Sequence, residues 1–261
     1  MEGSPMKLHA IERGEGPETV VFLHGLFGRA RNLGFLQRGA AATFRTLALD
    51  LRNHGHSPHG PASYALMAQD VLETLDVLGI ERFAVVGHSM GGKVGMMLAL
   101  AAPERVTKLL VADIAPARTG HGQREMISKL ETLTFPPSLE RREGLELLEP
   151  ITGSRPVAEL LLQNIRLGVS PGWSIGFDAL SRDIHDIENW PDLQIAPYEG
   201  PVLFLRGGAS PYVLPEHHDH IRALFPHALI RSLPDAGHWL HVEQPRAFLK
   251  EMMEFLQIPA R

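Results

Sequence analysis

The stretch Gly87-His88-Ser89-Met90-Gly91-Gly92 decides how the rest of the chain is read. It follows the apolar run Phe83-Ala84-Val85-Val86 and opens a segment, Lys93 to Ala102, of helix-forming composition. A strand, a sharp turn and a helix therefore meet at a serine flanked by glycines. A serine at such an apex occupies a strained backbone region that projects its hydroxyl out of the sheet. Side chains on its neighbours would collide with the incoming strand or the outgoing helix. The helix also points its first N–H groups and positive dipole end at the place where an anion would develop. Gly-x-Ser-x-Gly in this setting is a nucleophile elbow. The pentapeptide alone is common by chance, so its weight comes from the flanking strand and helix and from partners for Ser89 elsewhere.

Composition sets the bounds around that centre. A chain of 261 residues suits one large α/β domain carrying an insertion, and it buries an ample core. An apolar fraction of 44% and a charged fraction of 21% are those of an ordinary globular protein. The formal net charge is −5 and no run of five basic residues occurs, so neither nucleic acid nor an anionic membrane is an expected partner. Without cysteine there is no disulfide, thiolate metal site or cysteine nucleophile. No secretory signal and no bilayer-length apolar run is present, and the expectation is a cytoplasmic protein. Met1 to Pro5 reads as a vector remnant or an extension ahead of Met6.

Working outward, the run Thr19 to Leu23 reads as a buried parallel strand that ends at His24-Gly25. Weaker strand signals cover Lys7 to Arg13, and Phe44 to Leu51 runs through Asp50 into the polar turn Arg52 to Ser57. Ser63 is a natural N-cap for a helix to about Leu78, with Val71, Leu72, Leu75 and Leu78 on one face and Gly79 as the stop. Pro103 ends the helix after the elbow, and Val106 to Asp113 forms the next strand. Alternating strands and helices imply a mostly parallel sheet with helices on both faces. From Pro116 to Pro197 that rhythm breaks into helix-like segments, Gln123 to Leu133, Ser138 to Leu148 and Pro156 to Leu167, with no strand expected. It resumes with the strand Pro201 to Arg206, a helix near Pro215 to Leu224, the strand Ala228 to Leu233 and a final amphipathic helix from Pro245. The expected organisation is an α/β core at 1–115 and 198–261 interrupted by a helical cap insertion at 116–197.

Ser89 needs a base near neutral pH, and histidine is the natural one. His238 follows the last strand on the carboxyl edge of the sheet, where open parallel sheets place their sites, and it closes the chain order serine, acid, histidine. An acid must orient that imidazole and stabilise its charged form. The loop after Arg206 reads Gly207-Gly208-Ala209-Ser210-Pro211-Tyr212-Val213 and offers none. Asp113, at the end of the strand after the elbow helix, is the first choice, with Ser210 as a polar helper. Asp235 is the alternative, three residues from the histidine it would orient. Two N–H donors should face the developing oxyanion. One is Met90; the other is Leu26, or Phe27 as second choice, in the loop after Thr19 to Leu23.

Aromatic and aliphatic residues of the insertion, Trp173, Ile175, Phe177, Leu180 and Trp190, are candidates either for the substrate pocket or for the insertion's own core; Phe27 and Trp239 are further pocket candidates. The histidine groups His54-Gly55-His56 with His59, and His217-His218-Asp219-His220, match no metal-ligand spacing and read as solvated loop and helix residues. Lys93 reads as a helix-surface or salt-bridge residue. No metal and no cofactor is expected.

Together His24-Gly25, Asp50-x-Arg52-x-x-Gly55-x-Ser57, Gly87 to Gly92 and Gly237-His238 resemble the α/β-hydrolase superfamily across almost the whole chain, with the insertion where that family carries its cap. More narrowly, Leu26-Phe27-Gly28 with Asn32-Leu33, Gly91-Gly92-Lys93, Ala112-Asp113-Ile114-Ala115-Pro116 and Arg206-Gly207-Gly208-x-Ser210-Pro211-Tyr212-Val213 are similar to YbfF-type bacterial esterases. That resemblance implies hydrolysis of short acyl esters, with acyl-CoA thioesters as a further class, and makes Ser210 a subgroup feature. The expected activity is a serine carboxylesterase using a small ester and water. Two alternatives stay open: a carbon–carbon bond lyase or synthase of the menaquinone-pathway type, and a ligand-binding member of the fold without turnover.

Overall fold

The structure, a computed structural model, describes residues 6–119 and 122–258. Seven strands form the central sheet: β1 (Ala10–Arg13), β2 (Thr19–Leu23), β3 (Arg45–Leu49), β4 (Phe83–His88), β5 (Val106–Ala112), β6 (Val202–Gly207) and β7 (Ala228–Leu233). Their spatial order is β1-β3-β2-β4-β5-β6-β7, and all neighbours run parallel except the edge pair β1 and β3.

Strand periodicity divides the core into two layers. Val21, Leu23 and Val85 face one cluster, while Val20, Phe22, Ala84 and Val86 face the other. Helices α2 (Tyr64–Val77) and α3 (Met90–Ala101) cover the first face; α1 (Gly34–Ala40) and α11 (Pro245–Leu256) cover the second. A sheet covered on both faces explains why its central strands are continuous apolar runs. The Ser63 hydroxyl caps α2 by accepting from Leu66 N–H, and Gly79, at φ +68°, ends it.

Between β5 and β6 lie α4 (Gln123–Glu131), α5 (Arg141–Thr152), α6 (Arg155–Leu162), α7 (Phe177–Arg182) and α8 (Ile184–Glu188). After β6 come α9 (His218–Leu224) and, after β7, α10 (Leu240–Glu243). Two expectations for the segment between β5 and β6 are corrected. It does contain strand pairing: Ser138–Leu139 with Gly168–Val169, and Ile165–Arg166 with Gly172–Trp173. These ladders begin α5 at Arg141 and end α6 at Leu162, inside the helices expected from the sequence. Ladders of two residues contain no repeat of the strand period, so periodicity does not reveal them. The helix after the elbow likewise starts at Met90, because the turn's own residues form its first turn. No helix among the described residues is long and apolar enough to cross a membrane.

The close approach of β2, β4 and α3 depends on Gly91. A Cβ there would stand 2.3 Å from Leu23 O and 2.6 Å from His24 O, both backbone atoms without freedom to yield. Gly91→Ala is therefore expected to destabilise the fold by about 2–3 kcal/mol, through overpacking against fixed backbone. Urea unfolding checks this, and a change under about 0.5 kcal/mol would contradict it.

Candidate active site

The parallel sheet brings four strand ends to one edge. β4 delivers Ser89 and β5 delivers Asp113, because His88 pairs with Ala112 and each residue follows its strand by one position. β6 leads into Gly207 to Ser210, and β7 leads into the loop carrying His238.

Ser89 has φ +52° and ψ −120°, the strained geometry expected of the apex. Its N–H donates to Ala112 O at 2.9 Å, which ties the turn to β5. Ser89 Oγ lies 3.0 Å from His238 Nε2, and His238 Nδ1 lies 2.8 Å from Asp113 Oδ2. Asp113 is wholly buried, with φ +53°. Its Oδ1 accepts from Gly207 N–H at 2.8 Å, and its Oδ2 also accepts from the Ser210 hydroxyl. These donors take the place of the water that burial removes from the carboxylate. Asp235 is exposed at φ +60° in the loop's turn, and its carboxylate makes no bond to His238 among the described residues.

The His238 ring is held on further sides. Tyr212 stacks on it at 3.9 Å between centroids and 18° between planes. His88 Nε2–H donates to His238 O at 2.8 Å, and the His88 ring lies 4.3 Å from that of His241. Burial pushes His88 well below its ordinary value and His241 down to about 4, so both are neutral at pH 7.

Neutral histidines also build the loop opposite Ser89. Nε2 of His24 accepts from Leu51 N–H at 3.0 Å, which leaves Nδ1–H to donate to Gly25 O at 2.8 Å. Nε2 of His54 accepts from Phe27 N–H at 3.1 Å, with Nδ1–H donating to Arg52 O at 2.9 Å. Burial lowers His24 to about 4 and His54 to about 3. His54 is therefore a buried acceptor and not the solvated loop residue expected, because the turn folds its ring under the Phe27 backbone. The same bond removes Phe27 N–H as an oxyanion donor, which corrects that second choice. Leu26 N–H and Met90 N–H have no protein acceptor among the described residues. The loop sits close to the elbow, since a Cβ on Gly25 would lie 3.2 Å from Ser89 Cβ.

Above Ser89 opens a cavity of about 860 Å³. Its apolar wall includes Leu26, Phe27, Met126, Ile151, Leu160 and Trp239, and its polar residues include Gln123, Glu125, Lys129 and Gln163. Phe27 and Trp239 both line this cavity. Trp173 and Phe177 are not on its wall: they stack on each other at 4.5 Å and line a separate cavity of about 460 Å³. Ile175 and Leu180 are core residues, and Trp190 packs against Tyr64. From the segment between β5 and β6, α4 to α6 contribute Met126, Ile151 and Leu160 to the cavity wall. The amphipathic stripe of α6, with Val157 and Leu160 on it, is the signal that marks this helix as covering something. Lys93 is also corrected: it is 1% exposed, packed under α8, and far from a helix-surface residue.

A fold and a site of this kind define an α/β hydrolase, and the chain belongs to the alpha/beta hydrolase family, whose profile matches residues 20–251. It is 37% identical over 262 residues to the sn-1-specific diacylglycerol lipase ABHD11 of Mus musculus, covering 97% of this chain and 85% of that one. It is 34% identical to esterase YbfF of Escherichia coli (strain K12), over 91% of this chain and 92% of the other, in keeping with the YbfF-type resemblance. The solved structure of a marine microorganism esterase superposes with a TM-score of 0.91 at 32% identity, over 96% of this chain and 99% of that one.

Buried neutral histidines carry a pH consequence. His24, His54 and His241 titrate near 4, 3 and 4 when folded, and near 6.5 when unfolded. Between those values the unfolded chain binds more protons, so stability is full above pH 6.5 and is lost as pH falls toward 3. The urea midpoint should drop steadily between about pH 6.5 and 4. His54→Gln, whose amide oxygen still accepts from Phe27 N–H, should flatten that slope; an unchanged slope would count against His54.

Proposed function

We propose that this protein is a serine carboxylesterase that cleaves short-chain acyl esters through an acyl-enzyme. The observation that carries the reading is the continuous path Ser89 Oγ, His238 Nε2, His238 Nδ1, Asp113 Oδ2, with links of 3.0 and 2.8 Å. The base lies within hydrogen-bond reach of the nucleophile on one side and of the orienting acid on the other.

In the first half, His238 takes the Ser89 proton as Oγ attacks the ester carbonyl. The carbonyl oxygen becomes an oxyanion facing the unpaired N–H groups of Leu26 and Met90, at the N-terminus of α3. Asp113 stabilises the His238 imidazolium, whose Nε2–H then protonates the departing alcohol. In the second half His238 activates water, which releases the acid. Ser210 stands where the loop after β6 lacks a carboxylate, and it orients Asp113 from that position by hydrogen bonding to Oδ2. The helices α4 to α6 act as the cap over the cavity. That cavity lies near the upper end of small-molecule sites, so it accommodates acyl chains beyond acetate or a bulky alcohol. No arginine lines it among the described residues, and Lys129 on its wall is paired with Glu125 at 2.8 Å, which weighs against a dicarboxylate substrate for carbon–carbon bond chemistry.

Ser89→Ala should reduce p-nitrophenyl butyrate hydrolysis to background and abolish labelling by a fluorophosphonate; retained turnover would overturn the reading. Asp113→Asn should lower kcat by roughly three to four orders of magnitude, whereas Asp235→Asn should stay within about twofold. Along a p-nitrophenyl series from acetate to hexanoate, kcat/KM should rise about three- to fourfold per methylene while the chain buries apolar surface.

A further inference from the structure

The mechanism leaves one buried ionisable group without a task. Lys93 is on α3, four residues beyond the nucleophile, and its backbone N–H donates to Ser89 O at 3.1 Å. Its Nζ donates to Thr119 Oγ1 at 3.1 Å, Glu188 O at 3.0 Å and Asn189 O at 2.9 Å. The Tyr64 ring of α2 lies beside it, with the centroid 5.6 Å away. Three oxygens from the segment between β5 and β6 are thus gathered on one amine of the nucleophile helix.

The link continues. Glu188, itself buried, accepts from Arg124 N–H at 3.0 Å and from Arg124 Nη2 at 3.1 Å. Arg124 stands in the first turn of α4, and α4 supplies Gln123, Glu125, Met126 and Lys129 to the cavity wall. A single bonded path therefore runs from the nucleophile's carbonyl through Lys93 and α8 to the helix that walls the substrate cavity.

From this path we infer that Lys93 is a positioning residue that holds the α4 wall of the cavity in register with Ser89. The inference rests on reading that cavity as the ester site. It assigns Lys93 no proton transfer. Loss of the tie leaves Ser89, His238 and Asp113 in place and loosens the surface against which the acyl chain packs.

The charged and titratable groups facing Nζ are Glu188 of α8, Arg124 of α4 behind it, and Tyr64 of α2. Burial pushes the amine from its usual 10.5 down to about 7, with the Glu188 charge opposing the shift. An amine released to water regains the ordinary value, so the docked arrangement holds fewer protons than the released one between about pH 7 and 10.5. Docking of α8 and α4 consequently strengthens as pH rises through that window. Below it the ammonium keeps its three oxygens but bears the full desolvation cost.

Two readouts on the full chain test this. In steady-state assays, Lys93→Met and Arg124→Ala should each raise KM for p-nitrophenyl hexanoate by about tenfold while kcat for the acetate changes less than about threefold. Arg124 is half-exposed, so its replacement keeps the test alive if Lys93→Met fails to fold. In hydrogen exchange, corrected for intrinsic rate, α4 and α8 amides of the unaltered protein should gain protection from pH 7 to 9, and Lys93→Met should abolish that gain. KM values in both variants equal to that of the unaltered protein, or protection that is flat with pH, would overturn the inference. Exchange of the expected form without any ester turnover would instead overturn the esterase reading and leave the tie standing.

Discussion

The carboxylate of Asp113 is the point on which the site is assembled. It is wholly buried, so its charge needs donors from the protein in place of water. Those donors are Gly207 N–H at the end of β6, the Ser210 hydroxyl in the loop beyond, and His238 Nδ1–H after β7. Two separate stretches of chain are thereby fixed relative to β5, and β5 is fixed to the elbow through Ser89 N–H and Ala112 O. Parallel pairing makes this feasible, because it brings the carboxyl ends of β4, β5, β6 and β7 to the same edge.

Around the Asp113–His238 pair the protein places uncharged imidazoles. His24, His54, His88 and His241 are all buried and all lowered by that burial. His24, His54 and His88 use ring nitrogens to bind backbone: His24 braces Leu51 and Gly25, His54 takes Phe27 N–H, and His88 holds the carbonyl of His238. A neutral imidazole donates at one nitrogen and accepts at the other, so it joins two backbone groups without adding a charge that would disturb Asp113 and His238.

The segment between β5 and β6 is fastened to the same loops. Asn164 Nδ2 donates to Phe27 O at 2.7 Å, and Gly176 N–H donates to Asn53 O at 2.9 Å. Ala62 N–H donates to Asp183 Oδ2 at 2.6 Å, and Lys93 completes the set from beneath. Loops after β2 and β3 therefore serve twice, once around Ser89 and once toward the segment between β5 and β6. That shared use explains why buried polar residues concentrate on this edge of the sheet.

Local chemistry was enough to read the elbow, the alternation of strands and helices, and the order Ser89, Asp113, His238. Glycine spacing, apolar period and position after a strand are properties of short stretches, and a parallel sheet carries them to one edge automatically. The absence of a carboxylate after Arg206 likewise directs attention to Asp113 from the sequence itself. What the sequence left open depended on contacts between distant stretches. Whether Phe27 N–H was free depended on a histidine 27 residues away. Whether Trp173 and Phe177 faced substrate depended on how α4 to α7 packed, and they stacked on each other instead. Lys93 looked like a surface lysine because its partners, Thr119, Glu188 and Asn189, reach it only when the segment between β5 and β6 closes over α3. Short-range pattern determined the edge on which Ser89, Asp113 and His238 meet; long-range packing decided which donors stayed free and which residues walled the cavity.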